Sequence, residues 1–134
     1  MITFCVYRSN LPKHILPEYR LESAKKMRIW DIEPKSICNK HLLGEHRELH
    51  AVWSILTCNK KGYRHHPEVL RWKEKLKALF NRHEQEVREM KRRGYAHYTP
   101  LNRELAIGKE KQDELIDSID KQKEILRNKD CLCK

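Results

Sequence analysis

Residues 35–58, KSICNKHLLGEHRELHAVWSILTC, read as an amphipathic helix. At about 100° per residue, Leu42, Leu49, Val52, Trp53 and Leu56 fall on one face. That face needs covering, and the chain downstream supplies further helices to do it. A basic loop, NKKGYRHHP at 59–67, turns at Gly62. Pro67 then opens a second predicted helix, a favoured first position, with Glu68 placed to meet the helix dipole. Val69, Trp72, Leu76, Leu79, Phe80, Val87 and Met90 recur at three- and four-residue steps. Glu84/Arg88 and Glu89/Arg93 are i,i+4 pairs, and Gly94 is the expected stop. After an irregular linker at 95–108, a third helix is predicted over 109–128, with Leu115, Ile116, Ile119, Ile125 and Leu126 as its apolar residues. The expected fold is all-α, a compact three-helix single domain.

Residues 1–26 do not share this pattern. Pro12 and Pro17 interrupt them and no helical period develops. They read as an extended N-terminal segment outside the working domain, with MRIWDI at 27–32 as a fresh start. The expected division is an extension at 1–26, a helical domain at 27–128 and a flexible tail at 129–134. The chain has 134 residues, 36% of them charged, with only 4 glycines and 5 prolines, which favours helices over a turn-rich β architecture. The net charge of +10 points to a polyanionic partner, nucleic acid first. Cys5, Cys38, Cys58, Cys131 and Cys133 are odd in number and irregularly spaced, with no C-x-x-C, so no disulfide framework is evident; Cys131 and Cys133 read as reduced thiols in a frayed tail. MITFCVY at 1–7 is far too short to span a bilayer and makes a poor signal peptide, so a cytoplasmic protein is expected.

GEHRELH at 44–50 carries the densest chemistry. His46 and His50 are an i,i+4 pair able to share a metal. In the zincin motif, however, the glutamate directly follows the first histidine. Glu48 comes one place later, about 200° round the helix from His46, and points away from such a metal. His46-Arg47-Glu48 also matches half of the zinc deaminase signature, but no P-C-x-x-C follows. No metal is therefore expected. On the helical wheel, Glu45 falls inside the apolar stripe, with His41 and Glu48 at its margin. Carboxylates there carry a desolvation cost. An arginine from another element is the ordinary remedy; a partly buried polar site is the functional alternative.

The stretch MRIWDI…CNKHLLGEHRELH resembles the pyrimidine-dimer DNA glycosylase/AP lyase family, the phage endonuclease V type. The resemblance runs from Met27 to about Leu126 and is strongest from His41 to Leu49. It implies an enzyme that binds ultraviolet-damaged double-stranded DNA and flips out a base opposite the lesion. An N-terminal α-amino group then attacks the anomeric carbon, and the resulting imine undergoes β-elimination. By position, Met27 is the implied nucleophile and Glu48 the catalytic carboxylate. Arg28 and Arg47 would grip the lesion and its phosphates, His41 would line the site, and His50 occupies a further DNA-contacting position. An α-amine suits imine formation: with a pKa near 7.7–8.0 it is about a quarter neutral at pH 7.4, against about a thousandth for lysine.

This chemistry implies no cofactor and no obligatory protein partner, and a monomer is expected. It also requires Met27 to be the true start; otherwise water, or Lys25 or Lys26, is the fallback. Further phosphate contacts are expected from Lys60, Lys61 and Arg64, and from Lys91, Arg92 and Arg93. Trp30, Trp53 and Trp72 are expected in the core. The tail LRNKDCLCK replaces the aromatic, lysine-rich end of the phage-type enzymes, which leaves the lesion preference open. The reading from another class is a non-catalytic helical DNA- or RNA-binding module on the same scaffold.

Overall fold

Pro34 and Ile37 decide where the first helix starts. In a computed structural model, which describes residues 27–96 and 99–129, Pro34–Ser36 forms a 3-10 turn and Ile37 is extended. Ile37 is thereby buried, and helix α1 spans Asn39–Thr57, shorter at its N-terminus than the pattern suggested. The expectations for residues 1–26, Cys131 and Cys133 lie outside the described residues.

The predicted second helix is two helices. Helix α2, Pro67–Leu70, begins with the proline and glutamate expected, and the His66 ring caps it by accepting from the Glu68 N–H at 3.0 Å. The chain then turns through Glu74, at φ 65°, before α3 spans Leu76–Arg92. Tertiary hydrogen bonds cause the break. The N–H groups of Lys77 and Ala78, which a continuous helix would satisfy internally, donate to the carbonyls of Ile107 and Lys109. Gly108, at φ 89°, makes this approach possible; a Cβ there would lie 2.2 Å from the Glu74 carbonyl oxygen. An isolated bridge joins Lys75 to Gly108, and no strand forms among the described residues.

Gly94 ends α3 as expected, at φ 94°, with Gly94 N–H donating to Lys91 and Tyr95 N–H to Met90 in the pattern of a Schellman cap. The third predicted helix is reduced to α4, Ile119–Arg127, because Ser118 accepts from the Lys121 N–H and fixes the start there. Leu115 and Ile116, expected in the core, are exposed. The all-α class holds, with four α-helices among the described residues and a second 3-10 turn at Arg103–Leu105.

Helix α1 packs chiefly against α3. One apolar cluster gathers Met27, Ile29, Leu49, Val52, Trp53, Trp72, Leu79 and Phe80; a second gathers Trp30, Ile32, Ile37, Leu42, Met90 and Leu126. Segment 27–32 therefore runs antiparallel along α1. Its beginning belongs with Leu49 and Val52, its end with Leu42.

Candidate functional site

A layer of buried charge lies between α1 and α3. Glu45, on the apolar stripe of α1, is 2% exposed. It accepts from Arg82 at 2.6 and 3.0 Å and from the Trp30 N–H at 3.2 Å. It thus ties α1 to both α3 and segment 27–32. Glu86, one turn beyond Arg82, lies 3.4 Å from the guanidinium and 3.0 Å from His46 Nδ1. Burial, and then the neighbouring Glu86, push the Glu45 carboxyl well above the usual range, against the pull of Arg82. Burial also raises Glu86. Burial works against the charge on Arg82, but Glu45 and Glu86 outweigh it and hold the guanidinium above its ordinary value.

His46, His50 and His83 form a second polar group beside this one. His50 is half-buried, and the other two are buried. Burial lowers His46 and His83 below the ordinary histidine value, against the glutamates nearby. None of Arg82, His83 and Glu86 was singled out in the sequence. The signal was present, because Leu79, His83, Glu86 and Met90 continue one helical stripe at steps of four, three and four, with polar residues in core positions.

The model of the family described as pyrimidine dimer DNA glycosylase matches residues 27–102, more than half the chain. The chain belongs to that family. No curated protein and no solved structure gives a match. The matched stretch of the glycosylase family holds segment 27–32, all of α1, α2 and α3, and both polar groups. Helix α4 lies beyond it.

Within this glycosylase-family stretch, several sequence-predicted residues come together around Trp30. Arg28 stacks over the Trp30 ring at 4.6 Å, and His41 meets the ring edge at 6.3 Å. Trp30 itself is core, 5% exposed, as are Trp53 and Trp72. His41 is half-buried and contacts Cys38 Sγ at 3.1 Å. Burial, followed by Lys129 and Lys40, lowers its affinity for a proton. Arg28 is engaged by Asp117 in a partly exposed ion pair. On α1 Arg47 is exposed and Glu48 half-buried, and Met27 is buried in the apolar cluster.

Three expectations change. His50, read as a DNA contact, is turned towards His46 and His83, with its Nε2 3.2 Å from theirs. Arg93 is an interior tie rather than a surface cation: it donates to Glu89, to Asn39 Oδ1 and to the Pro34 carbonyl, fastening the end of α3 to the start of α1. Arg92 stays exposed but forks onto Glu89, whose carboxyl is held down at about 2, first by that hydrogen bond. Lys61 and Arg64 are exposed in the loop before α2, Lys60 is half-buried, and Lys91 is exposed at the end of α3. No helix among the described residues is long and apolar enough to cross a membrane.

Proposed function

We propose that this protein excises damaged pyrimidines from duplex DNA through an imine on the α-amino group of Met27 and then cleaves the strand by β-elimination. The observation that carries this reading is the reach of the family match, which opens at Met27 and includes Arg28, His41, Arg47 and Glu48. The antiparallel course of segment 27–32 along α1, from the Leu49 level towards the Leu42 level, supports a working relation between Met27 and the turn bearing Glu48. The basic excess of +10 supports a DNA substrate.

In this mechanism the neutral amine attacks C1′ of the damaged nucleotide, and the glycosidic bond breaks with its electrons leaving on the base. The amine sheds a proton and the departing base gains one; the C1′–O4′ bond then breaks, O4′ taking up a proton, which opens the sugar and leaves C1′ as the protonated imine. Loss of a C2′ proton then expels the 3′ phosphate. Glu48 stabilises the cationic sugar and imine and relays protons, a role worth about 10²–10⁴ in rate. Arg47 binds the lesion phosphates, and DNA displaces Asp117 from Arg28. The acting protein therefore begins at Met27.

Borohydride trapping on irradiated and on abasic duplexes tests this. Proteins beginning at Met1 and at Met27 are compared, each with and without Glu48→Gln. A covalent adduct from the Met27 protein, lowered about 100-fold or more by Glu48→Gln, is expected. No adduct from either protein contradicts the amine mechanism.

A further inference from the structure

His46 and His50 stand one turn apart on α1, and His83 faces them from α3. The three ring centroids are 4.7, 4.8 and 4.9 Å from one another. His50 Nε2 lies 3.2 Å from His46 Nε2 and 3.2 Å from His83 Nε2. Zinc binds imidazole nitrogen at about 2.0–2.1 Å, so two such nitrogens at a tetrahedral angle stand about 3.3 Å apart. The spacing is that of ligands around a shared ion.

The outer nitrogens are placed to match. His46 Nδ1 lies 3.0 Å from Glu86 Oε1, and His83 Nδ1 lies 2.8 Å from Glu84 Oε2. A carboxylate accepting at Nδ1 fixes the proton there and turns the Nε2 lone pair inward, the arrangement that orients metal-bound histidines. Two inward lone pairs then face His50 Nε2. The Thr99 carbonyl oxygen lies 3.2 Å from His83 Nε2.

We propose that His46, His50 and His83 bind one first-row divalent transition-metal ion, of the zinc class, between α1 and α3. Water or the Thr99 carbonyl completes the coordination. Glu48 projects about 200° round the helix from His46, so this ion is a brace between the two helices and not a reagent at the proposed imine site. The sequence left the pair without a third ligand because His83 is 33 residues beyond His50, on another helix.

The test uses the full chain, stripped with a chelator and titrated with cobalt(II) and then zinc(II). One equivalent of cobalt is expected to give the visible ligand-field bands of a low-coordinate site, and one equivalent of zinc to abolish them. The melting temperature is expected to rise by about 10 °C at zinc a hundredfold over its Kd. His50→Ala, the substitution at the least buried ligand, loses the bands and at least about 100-fold in affinity, while His65→Ala, in the exposed loop, keeps both. His50→Cys restores cobalt binding with a thiolate charge-transfer band. The proposal is overturned if the folded protein takes up no stoichiometric cobalt, if His50→Ala binds as well as the parent, or if His50→Cys shows no charge-transfer band. None of these readouts involves DNA, so they stand apart from the trapping experiment.

Discussion

Glu45 and Glu48 sit one turn apart on α1 and do different work. The sequence placed Glu45 within the apolar stripe and named an arginine from another element as its ordinary remedy. That arginine is Arg82, and its identity was hidden because helix pairing is not written in local spacing. Arg82→Met strands a buried carboxyl, so a loss of about 3–5 kcal/mol is expected in urea unfolding. Substituting the exposed Arg92 by alanine is expected to leave the urea midpoint close to that of the parent. Glu89 makes a pH prediction. Its folded-state pKa of about 2 lies below the ordinary value of 4.5, so the unfolded chain takes up the proton first. The stability it confers is present above about pH 4.5 and lost as pH falls towards 2. Thermal melts across that window should fall less steeply for Glu89→Gln than for the parent. A parallel pair of curves would show that Glu89 contributes nothing to acid sensitivity.

At the scale of elements, helix existence was legible and helix extent was not. The apolar period marked all of α1 and α3, and Pro67 and Gly94 marked real ends. The break at Glu74 came from a partner more than 30 residues away, the carbonyls around Gly108, which no local propensity encodes. Gly108→Ala therefore faces both a left-handed backbone and a carbonyl 2.2 Å from the new Cβ. Gly94→Ala faces the backbone strain alone, in open space. Chemical denaturation is expected to show a loss of about 1–2 kcal/mol for Gly94→Ala and a clearly larger one for Gly108→Ala. Equal losses would mean that the Glu74 turn moves aside. The polar layer was half legible. Glu45, His46 and His50 of α1 stood out in the sequence, and Arg82, His83 and Glu86 of α3 did not, because two polar stripes meet only when the helices pack.

At the scale of the whole molecule, a net charge of +10 on a glycosylase-family chain sets how binding responds to salt. Duplex affinity should fall linearly with the logarithm of salt concentration. Removing one phosphate contact, for example with Arg64→Ala in the exposed loop, should reduce the slope by about 0.9. A flat response would exclude phosphate tracking. The central claim is that Met27 supplies the nucleophile, and locating the trapped adduct tests it most directly. The protein beginning at Met27 is reduced onto an abasic duplex, digested and mapped by mass spectrometry. The sugar is expected on the α-amino group of the peptide that begins with Met27. A sugar on a lysine side chain, or no modified peptide at all, would contradict the account.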